Sequence, residues 1–194
     1  MKYINSLYFW TIKYSGHKNA SWFLAFVSFI ESSIFPIPPD IIMIPMILSN
    51  RRKAFIYALI CTISSVLGGI LAYFIGFFLF DTIGKFILET YNLNEGFNGF
   101  RDYYDQYGIW IVLGGGFTPF PFKLITLASG FFALNFPLFV IMSIISRGGR
   151  FFLIAILLWF YGDAIREFIE KNLGKLTIIF FLLLVGGFTL IKLF

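Results

Sequence analysis

The chain has few of the residues that build disulfides and metal sites. Its 194 residues include one cysteine, Cys61, and one histidine, His17. A single cysteine cannot form an internal disulfide, and zinc sites need a cluster of Cys, His or carboxylate ligands. No glycine-rich nucleotide loop is present, and Ser32 and Ser33 beside Glu31 have no base spaced to activate them as a hydrolase nucleophile. We therefore expect no cofactor, no metal and no enzymatic activity.

Charge is also scarce. Charged residues make up 13% of the chain and hydrophobic residues 59%, whereas soluble domains carry about 25% charged residues. This composition predicts an all-α integral membrane protein whose whole length forms one membrane domain. The net charge of +5 does not indicate nucleic acid, because the basic residues cluster in short loops, the pattern that orients a chain in a bilayer.

The apolar runs are of two kinds. Uninterrupted runs at 54–80, 136–161 and 176–194 are each long enough to cross a hydrocarbon core of about 30 Å as a helix. Two other runs, 21–49 and 109–134, are interrupted in the middle by prolines, which are Pro36, Pro38 and Pro39 in the first and Pro119 and Pro121 in the second. Each half has about 12–15 residues, too few to span. We predict two re-entrant hairpins, each entering and leaving on one side, and the alternative at each set of prolines is a bent helix.

The polar segments give an orientation. We expect an interfacial N-terminus at 1–20, an extracytoplasmic segment at 81–107 and a cytoplasmic amphipathic helix at 162–175. With the N-terminus and the 51–53 basic cluster cytoplasmic, nine basic residues lie inside and three outside, which agrees with the positive-inside rule. The nine are Lys2, Lys13, Lys18, Arg51, Arg52, Lys53, Arg166, Lys171 and Lys175, and the three are Lys85, Arg101 and Lys192.

The two broken segments resemble each other. FPIPPDII at 35–42 aligns with TPFPFKLI at 118–125, so that Pro36 matches Pro119, Pro38 matches Pro121 and Asp40 matches Lys123 with an offset of 83 residues. With an offset of 82, Ser64 matches Ser146 and Asp81 matches Asp163 in the following spans. One span separates the two hairpins, so the first repeat (21–80) and the second (109–161) insert in opposite directions. Inverted repeats of this kind are typical of secondary transporters.

Five charged residues fall at membrane depth: Glu31, Asp40, Lys123, Arg147 and Arg150. Each costs at least about 2.5–3.5 kcal/mol at a helix centre, so such residues are functional candidates. Arg147 and Arg150 share a helix face, and the two hairpin tips approach each other from opposite faces. We predict one shared polar site for a substrate anion or protons. The alternative is that these charges pair only to satisfy each other.

Small residues mark close helix contacts. They occur in GGILAYFIG at 68–76, in GGG at 114–116 and in SGFFA at 129–133. Packing is the expected role of all three stretches.

These motifs together resemble the DedA family, also known as the SNARE-associated or VTT-domain family. The resemblance rests on Glu31 followed by FPIPPD, on the spacing of Gly68, Gly69, Tyr73 and Gly76, and on GFTPFPFKLITLASG at 116–130. It covers roughly residues 20–162, and the second turn with SRGGRFF is similar to the YqaA-like subfamily. The family's essential acids correspond to Glu31 and Asp40.

The second turn departs from the family pattern. Family members carry an arginine where this chain has Gly116, and a second arginine near the position of Lys123. Arg147 and Arg150, on the following helix, are candidates to supply these cations.

The resemblance implies a transporter or scramblase of the bacterial inner membrane. It would move undecaprenyl phosphate or a phospholipid head group between leaflets, depend on the proton-motive force and support membrane homeostasis. Membrane lipids and protons are the expected partners. Two alternatives stay open: a proton-coupled carrier of a small ion or solute with a sealed cavity, and a structural or assembly protein whose charges are all paired.

Overall fold

The computed structural model describes residues 19–33, 38–80, 82, 94–118 and 121–191, and beyond Glu167 it describes the backbone alone. Residues 1–18 of the predicted N-terminal interfacial segment, residues 81 and 83–93 of the predicted 81–107 segment, Pro36 and Pro119 lie outside these ranges. The described chain is helical and holds no strand, so the predicted all-α class is confirmed. Its helices are α1 (Ala20–Ser33), α2 (Asp40–Ser49), α3 (Ala54–Leu79), α4 (Asn94–Phe117), α5 (Phe122–Phe131) and α6 (Phe136–Ile191).

Two of the helices start directly after a proline. Pro39 directly precedes α2, and Pro121 directly precedes α5. Proline has no N–H to donate and a fixed φ, so it is well suited to the start of a helix. The helices α1, α2 and α5 have 14, 10 and 10 residues, which is at most about 21 Å of rise and less than a bilayer core.

Helix α4 is longer than the predicted hairpin limb. It has 24 residues and begins at Asn94, inside the segment that the sequence assigns to the polar exterior. The change from polar to apolar residues near residue 108 therefore does not mark the end of a helix. No proline lies between Asn94 and Phe117, so nothing stops the helix from extending through the polar residues.

Contacts between helices fix their directions. Ser28 Oγ donates to Cys61 O at 2.8 Å and Ser32 Oγ lies 2.7 Å from Ser65 Oγ, and each partner is 33 residues further along the chain. From the first contact to the second, the position moves four residues towards the C-terminus in both helices. Helix α1 therefore runs parallel to the first half of α3.

The second half of the chain repeats this arrangement. Gly116 packs against Ser146, and Thr118 O accepts a hydrogen bond from Arg150, so α4 runs parallel to α6. Helices α3 and α6 run antiparallel to each other. Phe55 near the start of α3 contacts Trp159 of α6 at 6.3 Å between ring centroids, and Tyr73 near the end of α3 contacts Phe136 at 5.3 Å.

Glycines bring α3 into backbone contact with its neighbours. A Cβ atom added to Gly68 would lie 2.2 Å from Phe29 O of α1. One added to Gly76 would lie 2.1 Å from Leu127 O of α5, and one added to Gly130 would lie 1.8 Å from Tyr73 O. Gly69 faces Thr126, and Tyr73 donates to Leu134 O at 2.6 Å. Gly68, Gly76 and Gly130 accept no side chain larger than hydrogen without a shift of the backbone.

The polarity of the molecule is that of a protein in an apolar solvent. Buried positions include serines, threonines, Glu31 and Arg147, while large apolar side chains such as Phe78, Ile63 and Phe160 are exposed. Arg51–Leu79 and Phe136–Gly162 are long and apolar enough to cross a bilayer. Exposed apolar area of this extent is unfavourable in water, so the outward faces are those of a membrane protein.

Helix α6 continues far beyond the length of one span. It has 56 residues, or about 84 Å at 1.5 Å per residue. The boundaries that the sequence suggests at 161/162 and 175/176 are not marked by any interruption of its backbone. The helix contains no proline after Pro137, and isolated glycines such as Gly162 and Gly174 are tolerated within helices. The predicted third span at 176–194 remains a prediction.

Candidate functional site

A buried ion pair joins the end of α1 to the first quarter of α6. Arg147 Nη2 lies 2.5 Å from Glu31 Oε2, and the two side chains are 1% and 11% exposed. Arg147 is the largest fully buried side chain described. A buried guanidinium is tolerated only when a charge and hydrogen bonds compensate for its lost hydration.

Two serines close this pair into a ring of hydrogen bonds. Arg147 Nε donates to Ser65 Oγ at 2.6 Å, and Ser32 Oγ donates to Glu31 Oε2 at 2.9 Å. Because Ser32 donates to Glu31, the 2.7 Å contact between the two serine hydroxyls has Ser65 as the donor. The ring fixes the guanidinium and the carboxylate in one geometry.

Two aromatic rings cover the guanidinium. The Arg147 Cζ atom lies 5.0 Å from the centroid of Phe122 on α5 and 4.8 Å from the centroid of Phe151 on α6. Cations over ring faces are attracted by the ring quadrupole. Through Phe122, the buried pair touches the first residue of the helix that follows the second break.

A second ion pair connects the two helix breaks. Arg150 Nη2 bonds to Asp40 Oδ2, and Arg150 Nη1 donates to Thr118 O at 2.8 Å. Asp40 is the first residue of α2, whereas Thr118 directly follows α4. The side chains of Asp40 and Arg150 are 16% and 18% exposed, so this pair is less buried than the first.

The five predicted charges are placed as follows. The structure brings Glu31 together with Arg147 and Asp40 together with Arg150, one helical turn apart on α6. Lys123 lies half-buried in the first turn of α5, next to Phe122. Lys123 O accepts a hydrogen bond from Thr126 Oγ1 at 2.9 Å.

Some hydrogen-bonding capacity is left over. Within the described ranges, three buried side-chain atoms have no hydrogen-bond partner: Asp40 Oδ1, Ser143 Oγ and Arg147 Nη1. Buried polar groups are almost always bonded, so atoms of this kind require an explanation. No group of three or more metal-binding side chains converges in the described part of the chain.

Sequence reasoning missed Ser65, Phe122, Phe151 and the carbonyl of Thr118. The signal for Ser65 was present, because the 82-residue offset that matches Ser64 with Ser146 also matches Ser65 with Arg147. These two residues face each other where the antiparallel α3 and α6 cross. The aromatic residues gave no signal, since the chain has 28 phenylalanines and no local pattern distinguishes these two.

Comparisons with known proteins find one domain family and two bacterial relatives. The model of the VTT domain matches residues 37–160. An uncharacterized protein of Haemophilus influenzae is 36% identical over 173 residues, covering 89% of this chain and 90% of the relative. An uncharacterized HI0703 homolog of Histophilus somni is 32% identical over 154 residues, covering 79% of this chain and 80% of the relative. No solved structure matches significantly.

Proposed function

The chain belongs to the DedA family of VTT-domain membrane proteins, and on that premise we propose that it moves a lipid or lipid-phosphate head group between leaflets. Undecaprenyl phosphate and phospholipids are the expected substrate classes. The protein acts as a transporter or scramblase of the bacterial inner membrane, with proton coupling through its buried acids.

One observation carries this proposal. Arg147 is 1% exposed, lies among helices with apolar outer faces, and keeps a donor atom without a hydrogen-bond partner among the described residues. A cation at this depth is costly in a protein that only needs to span a bilayer. A buried cation is expected in a protein that binds an anionic or polar group while this group crosses the apolar layer.

The proposal includes an inverted repeat of two re-entrant hairpins, each followed by a spanning helix. It is supported by the parallel packing of α1 with α3 and of α4 with α6, together with the antiparallel packing of α3 against α6. Since α1 and α3 point the same way, α2 must lead the chain back towards the side on which α1 begins. A hairpin that enters and leaves on one side does this.

Orientation follows from the distribution of basic residues, with the N-terminus and residues 51–53 in the cytoplasm. The test uses single cysteines at positions 52 and 95 in a Cys61→Ala background, labelled from outside in intact cells. We expect label at position 95 and protection at position 52. Labelling of both positions from the same side would show that the orientation is wrong.

The function is tested by reconstitution. Purified protein is placed in liposomes, and a fluorescent phospholipid or a labelled polyprenyl phosphate is followed between leaflets. We expect faster exchange than in empty liposomes, loss of that activity in Glu31→Gln, and normal activity in Gly114→Ala, whose added Cβ atom meets nothing within 4 Å. Wild-type rates equal to those of empty liposomes, with and without a pH gradient, would refute the proposal.

A second candidate function has its own support. Glu31, Asp40, Arg147 and Arg150 already pair with each other, as they would in a structural or assembly protein. In that case, exchanging both members of a pair for apolar residues of similar size leaves cellular function intact. In a transporter, or in a proton-coupled carrier of a small solute, the same double substitution abolishes cellular function.

A further inference from the structure

The short basic turn before α3 is held against α6. Arg51, Arg52 and Lys53 form a single 3-10 turn, and α3 begins directly after it. A Cβ atom added to Gly162 of α6 would lie 2.7 Å from Nε of Arg51 and 2.9 Å from its Cζ. The guanidinium of Arg51 therefore lies on the α6 backbone, where Gly162 leaves room for it. This contact fixes the turn, and with it the positions of Arg52 and Lys53.

Arg52 and Lys53 point away from the protein. Both are exposed, and neither forms an ion pair within the described ranges. Phe55 and Ile56, three and four residues after Arg52, are 41% and 53% exposed. Residues at these spacings share a helix face, so Arg52 continues the outward apolar face of α3. Two cations thus lie at the end of a surface that faces hydrocarbon.

Exposed aromatic residues of α6 lie beside the start of α3. The ring of Phe55 contacts Trp159 at 6.3 Å and Phe152 at 6.4 Å between centroids. Trp159 is 45% exposed and Phe160 is 65% exposed. Tryptophan next to basic residues is typical of a membrane–water boundary, where the indole ring lies at the level of the lipid head groups. The seam between α3 and α6 therefore combines an apolar surface with two cations at one end.

We propose that this end of the α3–α6 seam binds an anionic phospholipid, with its phosphate at Arg52 and Lys53 and an acyl chain along Phe55 and Trp159. Charge complementarity selects this occupant, because basic residues next to a membrane-spanning helix attract anionic head groups. A zwitterionic lipid carries a cation of its own, which the two basic residues repel. The inference goes beyond the proposed function, since this lipid is held on the outside of the protein and is not carried between leaflets.

Brominated lipids test the proposal because they quench the fluorescence of a tryptophan next to them. Trp159 is kept as the single tryptophan, and the other three are replaced by phenylalanine. The protein is reconstituted with dibrominated phosphatidylglycerol or dibrominated phosphatidylcholine of the same chain length. We expect phosphatidylglycerol to bind beside Trp159 at least about fivefold more strongly than phosphatidylcholine, and Arg52→Gln combined with Lys53→Gln to reduce this preference to less than about twofold.

The matched control is Arg101→Gln, which removes an exposed cation from α4 and should leave the preference unchanged. Arg51 is kept in every variant because it packs against α6. If the single-tryptophan protein does not fold, thermal unfolding of the otherwise unmodified chain in detergent replaces the fluorescence measurement. Phosphatidylglycerol should then raise the unfolding temperature more than phosphatidylcholine does, and this difference should disappear in the double variant at Arg52 and Lys53.

Two outcomes would overturn the inference. One is equal binding of the two lipids, or a preference that the double variant at Arg52 and Lys53 leaves unchanged. The other is a dimer in detergent that protects Trp159 from both lipids, which would assign the seam to a second copy of the chain. Neither outcome decides the proposed function, because binding at this seam is measured without exchange of lipid between leaflets.

Discussion

The two helix breaks have the same order of elements and opposite charges. In each, a helix ends, a proline precedes a 10-residue helix, and the first turn of that helix carries a charged side chain. That side chain is Asp40 at the first break and Lys123 at the second. Glu31, nine residues before Asp40, corresponds to Gly114 under the 83-residue offset, so the second break lacks this acid as well.

This difference shows how two repeats can satisfy each other's charges. Two identical breaks would carry two sets of acids, and these would repel each other at low dielectric. Here both acids lie at the first break, and the arginines that pair with them project from α6 of the second repeat. The two halves are therefore complementary in charge.

The largest expected effect comes from breaking the buried pair. Glu31→Ala leaves the guanidinium of Arg147 buried without its counter-ion, so stability should fall by about 3–5 kcal/mol and lipid exchange should be lost. Thermal unfolding in detergent and the liposome assay measure the two effects. The matched variant is Glu31→Ala combined with Arg147→Met, which should recover most of the stability and none of the activity. Recovery of activity in the double variant would mean that the pair is only structural.

The next effect concerns the contact between α3 and the second hairpin. Gly76→Ala places a Cβ atom 2.1 Å from Leu127 O, so the helices must separate at a cost of about 1–3 kcal/mol. Gly114→Ala, with open space around the added atom, is the control and should be neutral or slightly stabilising. Equal unfolding temperatures for the two variants would contradict the close contact of α3 with α5.

Much of the fold could be predicted from the sequence because its signals are local. Hydrophobic runs place α3 and the first part of α6, and prolines place the starts of α2 and α5. The start of α4 could not be predicted, because composition changes from polar to apolar inside a helix that no residue terminates. Likewise, the charge run at 162–175 suggests a separate helix, yet α6 continues through it.

The charged residues of the site could be predicted, whereas their partners could not. A charge in an apolar run is conspicuous, so Glu31 and Arg147 are found from the sequence alone. Which acid pairs with which base depends on the crossing of α3 and α6, which long-range packing decides. The rings of Phe122 and Phe151 are apolar residues in an apolar chain, and only the geometry around Arg147 gives them a role.

The more exposed ion pair should matter less to stability. Asp40→Ala removes the bond to Arg150, whose side chain is 18% exposed and keeps its bond to Thr118 O. The expected loss is about 1 kcal/mol, since partly solvated pairs contribute little. Lipid exchange should nevertheless be lost, because Asp40 is proposed to act in transport. A loss of stability as large as that of Glu31→Ala would contradict the ranking of the two pairs by burial.

The smallest effect concerns the turn that joins the second hairpin to α6. Between α5 and α6, Ala133 has a φ of 54°, in the left-handed region that favours glycine. Ala133→Gly removes this strain but makes the unfolded chain more flexible, so the net gain should be about 0.5–1 kcal/mol. Ala128→Gly, within α5, is the control and should lose about 1 kcal/mol. A decrease in unfolding temperature for both variants would indicate that the turn at Ala133 is not strained.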